Sequence, residues 1–252
     1  MYCGSNGKLE DEHVLPYGLC GNRAILPASS CRACAAITGA TEAKVLRGNF
    51  RGLRERFSLP SRSKERPRKL PLFCVNDDES AKVMVDVEHY PVTLILPVFS
   101  GPRIASFPEM LGRDGLPWGQ TIGWDFGVLN SKYGIESFAS NSIDGWSFAR
   151  MLAKIAHSDA AARIGLENFE PLLTDLILRD DIEPSTLIGT FAKIEEPVGD
   201  HFTHQISCHE ITAAGVRYLV SKIRLFSDLG APTYLVTAGV LDLAWEPPQL
   251  GV

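Results

Sequence analysis

The sequence predicts an α+β protein whose larger, C-terminal part contains a mostly antiparallel sheet. Its 252 residues, 45% of them hydrophobic and 22% charged, are typical of a folded chain with one large or two unequal domains. Runs that alternate valine with polar residues lie beside amphipathic helical runs, and four strand-like runs follow one another near the C-terminus. This order of elements favours helices packed on an antiparallel sheet.

Charge divides the chain unevenly. Residues 1–72 carry 13 basic and 6 acidic side chains, a net charge of +7, whereas residues 73–252 carry 12 basic and 24 acidic ones, a net charge of −12. A basic N-terminal part indicates contact with a polyanion or, as the alternative, attraction between the two parts. Residues 58–71 are rich in proline, serine and basic side chains and are predicted to be a linker or an arm on a partner. The predicted division is therefore a module over 1–57, this linker, and an acidic domain over 72–252.

The compartment is inferred from what the sequence lacks. No apolar run approaches the 18 residues or so of a membrane span, and the first residues contain no hydrophobic signal stretch. We therefore expect a cytoplasmic protein without membrane contact. In that compartment cysteines act as metal ligands or core thiols before they form disulfides. The six are Cys3, Cys20, Cys31, Cys34, Cys74 and Cys208.

Residues 32–57 are predicted to form one long helix, or one broken at Gly39 or Gly48. An apolar stripe at spacing 4, 3, 4 consists of Leu46, Phe50, Leu53 and Phe57. A basic stripe on a neighbouring face consists of Lys44, Arg47, Arg51 and Arg54, and it continues into Arg62, Lys64, Arg66, Arg68 and Lys69. Such a row of cations can follow a phosphate backbone, although a solvated surface is the alternative.

The rest of the chain is predicted to mix strands and helices. Strands are expected over 82–88, 92–99 (a central strand), 190–194, 204–211, 216–226 and 233–241, and helices over 146–157 and 168–178. Structural roles are expected for His201, His204, Cys208 and His209, and core positions for Cys74, Trp118, Trp124 and Trp146. Lys154, His157 and Asp159 are interpreted as a helix cap and a solvated turn.

The sharpest local motif is the C-x-x-C pair Cys31 and Cys34 at the start of the predicted helix. Two thiolates at this spacing can bind one Zn²⁺, but a tetrahedral structural site needs two further ligands. Cys3 is one. A partner C-x-x-C would place its first cysteine directly before Met1, so either the true start lies upstream, or Cys20 or His89 is the fourth ligand, or the site is degenerate.

Between these cysteines Asp11, Glu12 and His13 are adjacent, just before a turn with Pro16 and Gly18. A histidine beside a carboxylate suits metal-assisted phosphodiester hydrolysis, because imidazole accepts a proton near neutral pH while a carboxylate binds a hard divalent cation. An exposed charged turn is the alternative.

Together, Cys3-Gly4, the segment DEHVLPYGLCGN and the segment ASSCRACAAITGATEAKVLRG resemble the HNH endonucleases, in the zinc-supported subgroup with a ββα-metal fold. The resemblance covers residues 1–57. It implies that His13 is the general base, that Glu12 holds a catalytic Mg²⁺ or Mn²⁺, that Asn22 orients the base, and that three cysteines, Cys3, Cys31 and Cys34, belong to a structural zinc site.

The sequence departs from this family at one place. After the second cysteine pair the family carries His or Asn as a further catalytic ligand, whereas this chain has Ala35 and Ala36. Glu42 is the expected replacement, ahead of Thr38 or Thr41. Without a replacement the protein would bind nucleic acid and not cleave it.

Three functions follow. The first is a metal-dependent endonuclease acting on nucleic acid, DNA before RNA. The second is a catalytically degenerate, zinc-containing nucleic-acid-binding protein. The third is a protein-interaction domain with a vestigial zinc module. Divalent-ion-dependent cleavage separates the first from the others, and salt-dependent nucleic-acid binding separates the second from the third.

Overall fold

The computed structural model describes residues 1–76, 79–104, 118–122, 125–139, 144–191 and 195–242. The helices are α1 (Tyr17–Cys20), α2 (Arg32–Arg47), α3 (Arg51–Arg56), α4 (Phe126–Tyr133), α5 (Gly145–Ile164) and α6 (Thr174–Leu178). The strands are β1 (Leu9–His13), β2 (Ile25–Cys31), β3 (Lys69–Asn76), β4 (Glu79–Asp86), β5 (Val92–Leu96), β6 (Trp118–Ile122), β7 (Phe138–Ala139), β8 (Phe169–Pro171), β9 (Ile188–Thr190), β10 (Gln205–Ala213), β11 (Val216–Arg224) and β12 (Tyr234–Leu241).

The predicted α+β class is confirmed, since every strand pair in these parts of the chain is antiparallel. The largest sheet has the order β10-β11-β12-β8, with β9 also paired to β12. A second sheet has the order β4-β3-β7, and β5 pairs with β6. At the N-terminus β1 and β2 pair, and α2 follows β2 directly, which gives the predicted ββα order.

Helix α5 lies at the centre of the molecule. Its side chains contact α2 of the ββα unit and α6, β11 and β12. A helix enclosed in this way is apolar on most sides, and residues 147–160 of α5 are all buried. Asp144 caps its first turn by accepting a hydrogen bond from the Ser147 amide at 2.9 Å.

One hydrophobic cluster joins the N-terminal unit to the large sheet. It includes Phe50 and Leu53 of the predicted apolar stripe together with Phe148, Phe226 and Tyr234. Phe50 contacts Phe148 and Phe226 edge to face, at ring centroid distances of 6.2 and 5.3 Å. The predicted apolar face is therefore packed in the core, and the division into separate domains stays a prediction.

The helix predicted over 32–57 is broken, as one of the two alternatives stated. Gly48 ends α2 by donating its amide to the Lys44 carbonyl at 2.9 Å, and a Cβ at this position would lie 2.7 Å from that oxygen. Gly39 stays inside α2. The irregular segment ends at residue 68, because Lys69, Leu70 and Pro71 belong to β3.

Several local predictions were wrong. Residues 168–178 do not form one helix, because Phe169 and Pro171 pair with β12 and only 174–178 are α-helical. Among the described strands, the apolar strand β5 pairs with β6 alone and is not central. The expected strand at 190 begins earlier, with β9, and residues 192–194 lie outside the described chain.

Two core predictions have different outcomes. Cys74 is buried as expected, whereas the Trp146 side chain is 44% exposed because it lies on the first, outer turn of α5. Trp124 and the side chain of Trp118 lie outside the described residues.

No helix in the described part of the chain is long and apolar enough to cross a membrane.

Candidate functional site

Three cysteines meet where β2 runs into α2, and we call Cys3, Cys31 and Cys34 the thiol cluster. All three sulfur atoms lie within 4.8 Å of one another, and Cys3 Sγ is 3.6 Å from Cys31 Sγ. Cys31 ends β2 and caps α2, because its sulfur accepts the Cys34 amide at 3.5 Å. The thiol cluster can therefore hold a metal ion through three soft donors.

The two helical cysteines differ in acidity. The Cys34 amide that points at Cys31 Sγ, together with the neighbouring thiols, lowers the pKa of Cys31 to about 7. Burial, together with the same neighbours, raises the pKa of Cys34 to about 12. A cation shared by the three sulfurs would favour both thiolates, as metal binding requires.

Neither alternative fourth ligand joins the thiol cluster. The Cys20 sulfur lies near main-chain carbonyls, that of Pro16 among them at 3.8 Å. His89 lies against Tyr133, with Nδ1 2.9 Å from the tyrosine oxygen, and belongs to a separate group with Asp86 and Glu88. Asp86 accepts hydrogen bonds from Lys132 and Tyr133 at 2.9 and 2.7 Å.

His13 ends β1, opposite Ile25 of β2. Its Nε2 lies 3.2 Å from Asn22 Oδ1, and its ring meets Tyr17 edge to face at 5.8 Å. Both partners come from the chain between β1 and β2, so the turn itself supplies the groups that orient the imidazole. The structure thus brings together the base and the orienting asparagine that the family resemblance implies.

Adjacent strand residues point to opposite faces, so Glu12 points into the molecule while His13 remains partly exposed. There Glu12 meets Lys154 of α5, whose Nζ lies 2.9 Å from Glu12 Oε1 and 2.9 Å from Glu42 Oε1. Lys154 also donates a hydrogen bond to the main-chain carbonyl of His13. We call Glu12, Glu42 and Lys154 the lysine cluster.

The prediction for the end of α5 was wrong. Lys154 is 2% exposed, His157 is fully buried and Asp159 is 7% exposed, so none of them lies in a solvated turn. Lys154 is the functional-site residue that sequence reasoning missed. The signal was available: α5 is apolar on most sides from residue 148 to 156, and a lysine in such a helix needs buried counter-ions.

The lysine cluster contains the oxygen atoms that were expected to bind the catalytic cation. Both carboxylates predicted to bind Mg²⁺ or Mn²⁺ already hold the Lys154 ammonium, and the carbonyl next to them accepts its third contact. Thr38, one of the lesser alternatives, bonds its own helix through the Ala35 carbonyl at 3.3 Å. The donor set therefore does not fit a divalent ion while Lys154 is in place.

A cleft of about 500 Å³ lies beside His13, between β1, α2 and residues 61–63; we call it the His13 cleft. Its basic lining residues are Arg47, Arg54 and Arg62, and its acidic ones are Glu10, Asp11, Glu12, Glu42 and Glu55. Lys154 compensates Glu12 and Glu42, and Arg66 lies 3.7 Å from Glu55. Arg62 stacks over the Tyr17 ring at 5.2 Å on the rim.

The predicted basic surface divides into two groups. Arg54 donates to the carbonyls of Gly18, Leu46 and Pro60 at 3.0 to 3.2 Å, so it ties α3 to its surroundings and does not point outward. Arg66 bonds the Leu59 carbonyl, and Lys69 lies 3.6 Å from Asp86. Both remain exposed, as do all the other members except Arg54: Lys44, Arg47, Arg51, Arg62, Lys64 and Arg68.

Comparisons with protein-family models, with curated proteins and with solved structures find no match for this chain.

Proposed function

We propose that this chain is an HNH-type endonuclease that hydrolyses phosphodiester bonds in nucleic acid, with DNA as the expected substrate. The observation that carries this proposal is the His13 and Asn22 pair, 3.2 Å apart on the wall of the His13 cleft. A base must be oriented by a second group and must border a space that admits substrate, and this pair meets both requirements.

The hydrogen bond to Asn22 defines how His13 would act. An amide oxygen accepts, so Nε2 carries the proton and Nδ1 is left to take a proton from water. Attack of that water on phosphorus forms a new P–O bond, breaks the bond to the departing 3′ oxygen and builds negative charge on the phosphate oxygens. The exposed guanidinium groups of Arg47 and Arg62 border the same cleft and can stabilise this charge.

For the structural metal the proposal is Zn²⁺ at the thiol cluster. Thiolate donors favour this ion, and the three sulfurs are close enough to share it. Bound there, Zn²⁺ would cross-link the N-terminal residues to the junction of β2 and α2. His13 lies at the other end of β1 from Leu9, which pairs with Cys31. The ion would thereby stabilise the strand that presents the base.

A second function is favoured by one observation, the lysine cluster. If a divalent ion is required for cleavage and Lys154 excludes it, the protein binds nucleic acid through its exposed basic residues without cutting it. Lysine and arginine contacts to phosphate supply such binding without any catalytic group.

Cleavage assays separate the two functions. Wild-type protein and His13→Ala are incubated with labelled single-stranded DNA, duplex DNA and RNA, with Mg²⁺, with Mn²⁺ and with a chelator. The first function requires cleavage by wild-type protein and its loss by about 10² to 10⁴-fold in His13→Ala, with nucleic-acid binding retained. His201→Ala is the matched control, because His201 is an exposed histidine far along the chain. Binding without cleavage under every condition selects the second function.

A further inference from the structure

Beside the basic residues of α2 and α3 lies a small concavity of about 190 Å³ that contains an exposed aromatic ring. We call it the Phe73 concavity; its lining includes Arg47, Arg51, Pro71, Phe73 and Tyr90. Phe73 is 47% exposed, because β3 turns Leu72 and Cys74 to the core and Phe73 to the opposite face.

The Phe73 ring is unused by the fold. Within the described residues it makes no ring contact, whereas the exposed Phe126 ring packs against Phe138 at 6.0 Å. Arg47 and Arg51 likewise form no ion pair with any described residue. An exposed aromatic ring beside two guanidinium groups combines a stacking surface with cations that can contact phosphate.

Resting on the proposed function, we infer that the Phe73 concavity binds one unpaired base of a single-stranded nucleic acid, with Arg47 and Arg51 on its phosphates. Its volume is below the 300 to 1,000 Å³ or so of pockets for whole drug-sized ligands, so it suits one flat ring. Base stacking on an aromatic side chain, with arginines along the backbone, is how single strands are bound without sequence preference. A paired, stacked base cannot reach such a ring.

Arg47 connects the Phe73 concavity to the His13 cleft. It lines both the Phe73 concavity and the His13 cleft, from the last turn of α2. A strand that stacks a base on Phe73 can therefore place a neighbouring phosphate at Arg47 and extend toward His13. The concavity would thus select single-stranded substrate for the same site.

The test compares two labelled probes on the full-length chain, a thymidine 12-mer and an abasic 12-mer with the same sugar-phosphate backbone. Fluorescence anisotropy should show that Phe73→Ala weakens binding of the thymidine probe by about 5 to 150-fold and leaves the abasic probe unchanged. Phe73→Tyr should keep wild-type affinity, since it keeps a stacking ring. Met84→Ala is the matched control, because Met84 is a similarly exposed apolar side chain opposite Pro71 that does not line the concavity.

Each other outcome is decisive. Equal thymidine-probe affinity in wild type and Phe73→Ala overturns this inference and leaves the proposed function standing. Equal weakening of both probes by Phe73→Ala also overturns it, since the effect then does not involve a base. Failure of wild-type protein to bind any nucleic acid overturns the proposed function and this inference together.

Discussion

The ββα unit carries two groups of predicted metal ligands, and they differ in what their donors contact. In the thiol cluster three sulfurs converge on one another, within 4.8 Å. In the lysine cluster two carboxylates converge on a cation that the protein itself supplies from α5. Residue types with the right chemistry therefore predict a metal site only where no other part of the chain brings a charge to the same place.

The difference follows from what covers each group. The lysine cluster lies between β1, α2 and α5, where an unpaired carboxylate would be expensive to bury. At the thiol cluster Cys3 is exposed and Cys31 is partly exposed. An ion can reach the sulfurs from solvent, whereas one bound at Glu12 would have to displace a buried lysine.

The largest effect is expected at the thiol cluster. Cys34→Ser should reduce bound zinc from about one ion per chain to near zero, because a site with fewer thiolates loses most of its affinity and its contribution to folding. Metal analysis of purified protein measures this directly. Cys20→Ser is the matched control and should keep its zinc, since Cys20 contacts carbonyls outside the cluster. Zinc-free wild-type protein would contradict the assignment.

Next in size is the removal of the internal cation. Lys154→Ala leaves Glu12 and Glu42 buried and uncompensated, so the free energy of unfolding should fall by about 3–5 kcal/mol. Urea denaturation followed by circular dichroism measures the loss. Arg179→Ala removes an ion pair with Asp181 that is exposed on both sides, and it should change the free energy of unfolding little. Equal losses in the two variants would show that Lys154 is not a buried counter-ion.

Acid should weaken the contact between α5 and the residues next to the thiol cluster. His157 stacks on Tyr2 at 5.2 Å, and burial lowers the pKa of His157 to about 4 from about 6.5. The unfolded chain therefore takes up this proton first, and stability present above pH 6.5 is lost as the pH falls toward 4. His204, whose pKa burial also lowers to about 4, acts in the same direction.

When the pH is lowered from 8 to 5, protonation linked to His157 should reduce the free energy of unfolding by about 2 kcal/mol. Denaturation of wild-type protein and His157→Phe at both pH values isolates this pH-dependent loss of stability, because phenylalanine keeps the ring contact and cannot be protonated. The pH-dependent loss should be smaller in His157→Phe by that amount. Identical losses would place the acid sensitivity elsewhere.

An effect of similar size is expected when the lysine cluster is converted into a metal-binding group. In Lys154→Ala the two carboxylates regain free oxygens, so Mn²⁺ should bind there and restore about 2–3 kcal/mol at a hundredfold excess over its Kd. Wild-type protein should gain less. The double variant Lys154→Ala with Glu12→Gln is the control and should lose the Mn²⁺ effect. Stabilisation of wild type as large as that of Lys154→Ala would show that Lys154 does not exclude the ion.

Features close together in the sequence were predictable. The convergence of Cys31 with Cys34 and the break at Gly48 follow from short spacings and residue chemistry, whereas the ββα order and the His13–Asn22 pair were expected from the resemblance to the HNH endonucleases. Local geometry fixes such contacts whatever the rest of the chain does. For the same reason the α+β class could be read from strand-like and helix-like periodicity.

Contacts between distant segments were not predictable. Lys154 lies 141 positions from His13, and no local pattern relates the two. Arg54 belongs to a regular basic stripe, yet three carbonyls from separate segments turn it inward. Likewise, residues 169–171 have helical periodicity, but pairing with β12 makes them a strand. In each case tertiary contact overrides the local pattern.

The position of Lys154 in the sequence also affects the order in which parts of the protein can fold during synthesis. All three thiols are made within the first 34 residues, whereas the lysine that compensates Glu12 and Glu42 follows 120 or so residues after α2 begins. At about 5–20 residues per second, the ribosome needs roughly six to twenty-four seconds for that stretch. During this time the nascent ββα unit can present the thiol cluster to a metal ion while its two carboxylates remain hydrated, and burial of β1 waits until α5 emerges.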